Sequence, residues 1–244
     1  MRIIGFLYGV VCYAVFLLSF LYAIGFVGNL FVPKSIDSEP SGQLGEALLV
    51  NILLLGLFAG QHSGMARPAF KRWWTKTVPA AMERSTYVLI SSLLLDLLFW
   101  QWQAMTGVIW SVGNMAGRIV LHALFWLGWL TVLLSTFTID HFDLFGLRQV
   151  YLRFRDMEYT DVRFKISALY RFVRHPMMLG FLIAFWATPH MTLGHLLFSL
   201  ATTGYIFIGI FFEERDLAAA HGAAFAQYRK KVPMIIPLPG RKGK

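Results

Sequence analysis

Residues 3–32 read IIGFLYGVVCYAVFLLSFLYAIGFVGNLFV, thirty positions without one formal charge. A buried helix of a water-soluble domain needs only about half that length, whereas roughly 20 apolar residues cross a bilayer. The run therefore predicts a membrane helix. Only Arg2 precedes it, and it is too long for the core of a signal peptide, so it reads as a retained anchor. The rest of the chain agrees: of 244 residues, 57% are hydrophobic and 14% charged, against about 25% charged in an ordinary soluble domain.

Further apolar runs cover 44–60, 86–110 and 118–139, then, after a polar stretch, 177–189 and 193–212. Helices rather than barrel strands follow, because these runs do not alternate with period two. The net charge of +9 would suggest nucleic acid in a soluble protein. Here the bases are segregated by loop: five Lys or Arg in 61–86, seven in 139–175 and seven in 213–244, but only Lys34 between the first two runs and none in 104–117 or 189–194. The positive-inside rule places the three basic regions and both termini in the cytoplasm, with six crossings. Anionic lipid, not nucleic acid, is then the partner of the basic loops. Residues 177–189 are about 13 in number and short for a full crossing, so they are expected to form a hairpin with 193–212. Cys12 is the single cysteine, which excludes an internal disulfide and a thiolate zinc cage. The fold expected is all-α: a polytopic membrane bundle of five to six helices, one domain over 1–244, comprising an N-terminal bundle over 1–140 and a cofactor-binding hairpin and cytoplasmic tail over 165–240.

Polar groups inside or beside the runs need partners. Asp96 in the third run reads either as a functional carboxylate or as a packing hydrogen bond to Ser92, His122 or Arg118. Gly56 and Gly60 form a small-xxx-small pair that permits close helix approach. Directly after them, Gln61-His62-Ser63 and Arg67 place an imidazole, an amide, a hydroxyl and a guanidinium at the mouth of the bundle. Glu83, Arg84 and Tyr87 open the third span, with Arg84 and Tyr87 on one helical face. Asp140-His141-Phe142-Asp143 closes the fourth span. An Asp-x-x-Asp with His suggests a metal, but no second ligand cluster with firm spacing accompanies it, and a capped helix end explains it as well. No metal is expected.

The C-terminal third carries the densest chemistry. Tyr170-Arg171-Phe172-Val173-Arg174-His175-Pro176 sets two guanidiniums and an imidazole before a proline suited to the first turn of a helix, where free N–H groups favour an anion. Glu213-Glu214 ends the next apolar helix, and a basic-aromatic segment around Tyr228 follows. Donors on one side and carboxylates on the other describe a pocket for a zwitterion; a snorkelling basic belt with a helix cap is the bland alternative.

Arg174-His175-Pro176, Gly180, Glu213-Glu214, Tyr228 and Val232-Pro233 resemble the S-adenosylmethionine site of the membrane methyltransferases related to isoprenylcysteine carboxyl methyltransferase and the phospholipid methyltransferases. Met178 stands where many of those relatives carry Tyr. No G-x-G-x-x-G occurs, in keeping with a family that lacks a Rossmann sheet. Gly60 to Arg67, Glu83 to Tyr87 and His141 to Leu147 resemble a narrower group, the bacterial methanethiol S-methyltransferases and the denitrification-associated membrane proteins similar to them. The resemblance implies a bacterial inner-membrane enzyme that methylates methanethiol, a small volatile thiol, to dimethyl sulfide, with S-adenosylmethionine as cofactor and S-adenosylhomocysteine as product. It further implies that Arg171, Arg174, His175, Pro176, Met178, Gly180, Glu213, Glu214 and Tyr228 hold the cofactor. On the acceptor side, His62 or His141 takes the thiol proton with Asp140 or Asp143 as orienting carboxylate, and Tyr87, Arg84 and Arg67 stabilise the thiolate. Two other readings stay open: a lipid, prenylated or other small thiol acceptor, and a non-enzymatic membrane component of denitrification.

Overall fold

The computed structural model describes residues 2–39, 42–160 and 168–237. Pro40, Ser41, 165–167 and 238–240 from the segments named above lie outside them. Nine α-helices are found among the described residues: α1 (Arg2–Gly28), α2 (Leu44–Ala66), α3 (Pro68–Trp74), α4 (Ala80–Gln101), α5 (Met115–Ile139), α6 (His141–Leu144), α7 (Leu147–Phe154), α8 (Pro176–Trp186) and α9 (Leu193–Lys231). Two short strands, Val108–Ser111 and His190–Thr192, and a 3-10 turn, Ala168–Arg171, complete the described elements. Helices α1, α2, α5 and α9 are long and apolar enough to cross a membrane. The other two expected runs became α4, 22 residues carrying Asp96, and α8, whose 11 residues reach only about 16 Å. Helix α2 buries only Ala47, Asn51 and Met65 and leaves Leu48, Leu49, Ile52, Leu53 and Leu57 exposed, a surface that suits lipid and not water.

The chain divides into two compact units. The first holds Met1–Ile109, Asp140–Arg163 and Thr192–His195. In it α1 and α4 run in the same direction, because their contacts step from Tyr8–Thr86 (2.9 Å) through Ser19–Asp96 (2.9 Å) to the Phe26 and Phe99 rings. Asp96 is thus satisfied by the Ser19 hydroxyl of α1, not by the expected Ser92, His122 or Arg118; a helix packed alongside reaches it where residues on its own helix or farther along the chain do not. Helix α2 returns between them in sequence and packs antiparallel to α4, with His62 beside Tyr87 at one end and Asn51 beside Gln103 at the other. Buried Asn51 both donates to the Gln103 carbonyl (2.7 Å) and accepts from its N–H (2.9 Å), satisfying backbone left open where α4 stops. Pro68 at the first helical position separates α3 from α2, and α7 lies across the start of α1, where Phe6 stacks on Phe154. Gly146, with φ +85°, turns the chain from α6 into α7 against the Ser85 backbone, leaving no room for a side chain.

The second unit holds Trp110–Ile139, Phe164–Met191 and Leu196–Lys244. Its core is α5 against α8, and the closest approach is at two glycines: a Cβ on Gly128 would stand 2.6 Å from the Ala184 nitrogen, and one on Gly180 would stand 2.7 Å from the Gly128 carbonyl. Gly56 and Gly60 behave differently, since nothing lies within 4 Å of a Cβ at either. Helix α9 breaks at Gly222, whose φ of 47° and ψ of −119° only glycine adopts readily. Without that break Glu214 and Arg229 would stand about 22 Å apart along a straight helix. With it, Arg229 Nε lies 3.3 Å from Glu214 Oε2.

Candidate active site

Two clusters of predicted residues assemble, one in each unit. In the first unit the end of α2 and the start of α4 bring His62 to Tyr87: the phenol lies 2.9 Å from His62 Nε2. Ser91 Oγ, one turn further along α4, lies 3.2 Å from His62 Nδ1 and donates to Gln61 Oε1 at 3.2 Å. The imidazole is fixed on three sides, with Phe58 stacked at 5.3 Å. Arg84 places its guanidinium 5.9 Å from the centre of the Tyr87 ring, the shared face that their spacing predicts. Arg67 sits at the α2 to α3 junction, its backbone N–H donating to the Gly64 carbonyl.

His141 arrives at this same end from another part of the chain. Its Nε2 lies 2.7 Å from the Tyr13 hydroxyl of α1, and burial pulls the imidazole below its ordinary pKa, opposed by the Asp140 charge. Burial thus favours the neutral form of this imidazole. Phe145 touches His141 at 4.9 Å between ring centres and stacks at 3.8 Å on Phe16, and both phenylalanines pack on the cluster of Met65, Tyr87 and Val88. Each imidazole thus borders one aromatic, apolar patch. Asp140 accepts from the Asp143 N–H at 3.0 Å and caps α6, while Asp143 pairs with Arg148 at 2.8 Å. Those bonds fix the corner that carries His141. Tyr13 and Ser91 were not among the expected residues; a hydroxyl inside an apolar run gives no sign of which imidazole it will meet.

In the second unit the two halves of the C-terminal motif meet each other. Arg174 donates from Nε to Glu214 Oε1 at 2.7 Å, and its Nη1 donates to the Val232 carbonyl at 2.6 Å. His175 bridges both carboxylates, 3.1 Å to Glu214 and 3.4 Å to Glu213. Burial alone would lower the His175 pKa, but hydrogen bonds and charge from Glu213 and Glu214 outweigh it and raise the imidazole above its ordinary value. The backbone joins in: Arg174 N–H donates to the Pro233 carbonyl and His175 N–H to that of Met234. Tyr228 donates to the Tyr170 carbonyl at 2.7 Å and packs with Phe225 and Val232. Pro176 starts α8, Met178 packs on the cluster of Ile206, Ile210 and Ile235, and Gly180 faces Gly128. Glu213 stays half exposed and Arg171 exposed.

The family model described as NnrU protein matches residues 50–236, a span that includes the second cluster and all of the first except Tyr13 and Phe16 of α1. The chain belongs to the NnrU family. Among relatives of this NnrU protein, the methanethiol S-methyltransferase of Mycobacterium tuberculosis (strain ATCC 25618 / H37Rv) is 57% identical over 240 residues, 98% of either chain. Methanethiol S-methyltransferase 2 of Bradyrhizobium diazoefficiens is 58% identical over 231 residues, 95% of this chain and 89% of its own. A Nurim homolog of Drosophila pseudoobscura pseudoobscura is 31% identical over 185 residues, 71% of each. No solved structure matches.

Proposed function

We propose that this NnrU family member methylates methanethiol to dimethyl sulfide, with S-adenosylmethionine as the methyl donor. The observation that carries the reading is end-to-end similarity, 57% over 98% of both chains, to a protein named for that reaction. The two clusters support it. When bound, S-adenosylmethionine supplies an electrophilic sulfonium methyl; Glu213 and Arg171 would take its amino-acid end, and the network of Arg174, His175, Glu214 and Tyr228 would hold the shape of the site.

What the acceptor side must do is ionise a thiol whose pKa lies above the ~8.5 of cysteine. His141 and His62 are the proton acceptors proposed, held in orientation by Tyr13 and by Tyr87 with Ser91. Arg84 supplies positive charge beside Tyr87, which favours a thiolate, and Arg67 belongs to the same basic end of α2. The aromatic patch of Phe16 and Phe145 suits a small apolar methylthio group and withholds water from its sulfur. The loop charges favour both termini in the cytoplasm, where S-adenosylmethionine is available.

Headspace gas chromatography of the purified protein with S-adenosylmethionine and methanethiol tests the reading. Dimethyl sulfide formed in step with S-adenosylhomocysteine is the expected result. Cofactor turnover only with a lipid or a larger thiol would move the acceptor, and absence of cofactor binding would reject an enzyme.

A further inference from the structure

At the end of the first unit where α1 and α4 both begin, a cavity of about 600 Å³ opens beside the acceptor cluster. Four cations line it, Arg2, Lys71, Arg84 and Arg153, with the carboxylates Glu83, Asp143, Asp156 and Glu158. Two of those carboxylates are already engaged: Asp156 with Arg2 at 2.7 Å and Asp143 with Arg148 at 2.8 Å. Among the described residues Lys71, Arg84 and Arg153 form no ion pair, so they outnumber the two remaining carboxylates. Lys71 is half-buried, and burial together with the Arg84 charge lowers its pKa against the opposing charge of Glu83. Two like charges held towards one hollow cost free energy that an anion would recover.

The backbone adds to this excess. Ala80 and Ala81, the first two residues of the 22-residue α4, line the same cavity. The residue before them is Pro79, and no side chain caps the helix, so their N–H groups have no partner within the helix and the positive end of its dipole lies at the hollow. Location supplies the occupant. Helix α1, apolar enough to cross a membrane, starts at Arg2 on the cavity wall, and Met157 and Tyr159 on its rim are exposed. A hollow at the head of a membrane helix, with an aromatic and an apolar side chain at its mouth, sits at headgroup level.

We propose that this cavity binds a phosphate oxyanion, that of a phospholipid headgroup, with Lys71, Arg84 and the N–H groups of Ala80 and Ala81 as donors. The site shares no residue with the cofactor network and does not depend on the methyl-transfer reading. Arg84 belongs to both neighbourhoods, lying over Tyr87 and lining the cavity.

The test is the thermal unfolding midpoint of the detergent-solubilised full chain, titrated with dihexanoyl phosphatidylglycerol, with inorganic phosphate and with uncharged dihexanoylglycerol. A saturable rise with the phospholipid at lower concentration than with phosphate, and none with the uncharged lipid, is expected. Lys71→Gln should raise the half-saturating concentration about tenfold, since one charge-assisted hydrogen bond is lost. Ala80→Pro deletes one N–H donor at a helical position that tolerates proline and should raise it a few-fold; Lys76→Gln, outside the cavity, should leave it unchanged. A response to inorganic phosphate and not to phospholipid would keep the oxyanion site and assign it a soluble ligand. No saturable response to either phosphate species, or an unaltered one in both Lys71→Gln and Ala80→Pro, overturns the proposal.

Discussion

His62 and His141 reach one end of the first unit from segments nearly 80 residues apart, and each is held by a tyrosine hydroxyl. If one of them takes the thiol proton, its loss matters least where the thiol is already ionised. His62→Ala and His141→Ala should each lower turnover at pH 7, by roughly a hundredfold for the proton acceptor, without weakening cofactor binding. Profiles from pH 7 to 9 distinguish the two: the deficit shrinks for the base and stays constant for a positioning residue. Unchanged turnover in both variants would remove the imidazoles from the mechanism. His175 makes a different prediction. Its pKa is raised in the folded chain by Glu213 and Glu214, so its ion pairs stabilise fully below the ordinary imidazole value of 6.5 and are lost as pH rises through the raised one. The unfolding midpoint of His175→Gln should therefore fall less than that of the parent between pH 6 and 9. Equal slopes would show that the imidazole is not charged in the fold. The identities in both clusters were legible in the sequence, because ionisable groups at the ends of apolar runs are costly and few. Their partners were not: that Arg229 meets Glu214 depends on a helix break 8 residues beyond the glutamate, and Tyr13 is invisible within α1.

At the scale of elements, small residues carry the plainest lesson. The Gly56 and Gly60 spacing reads as a contact motif, yet that face of α2 is open, while the close contact lies between Gly128 of α5 and Gly180 of α8, which share no local motif. Spacing along one helix cannot name the partner helix, and without a partner a glycine is only a gap. Gly128→Ala must push α5 off α8 and should cost about 1–3 kcal/mol, seen as a lower thermal midpoint. Gly56→Ala meets nothing and should leave the midpoint unchanged or slightly raised. A midpoint equally low for both would mean that the face of α2 is occupied in the membrane. Element boundaries departed from the hydropathy runs at several ends: α2 and α9 continue past 60 and 212 into polar sequence, to Ala66 and Lys231, and for 86–110 α4 starts earlier and stops at Gln101, where the backbone is satisfied by Asn51, a long-range contact no local pattern announces.

For the whole molecule, six crossings with both ends in the cytoplasm remain the reading that the loop charges support. Cys12 is fully buried, so it provides a silent background for introduced cysteines. Gly113→Cys should react with an impermeant maleimide in intact cells and Gly64→Cys should not; the reverse pattern would invert the topology. One further consequence concerns the ribosome. The Asp37 carboxylate accepts a hydrogen bond from Thr192, 155 residues later, although both belong to the first unit. At about 5–20 residues per second, roughly 8 to 31 seconds of synthesis separate the two. Through that interval the Asp37 carboxylate has Asn29 for one oxygen while the other waits, and most of the second unit must be made before the first can close. The nascent protein is thus finished out of order, its oldest part last.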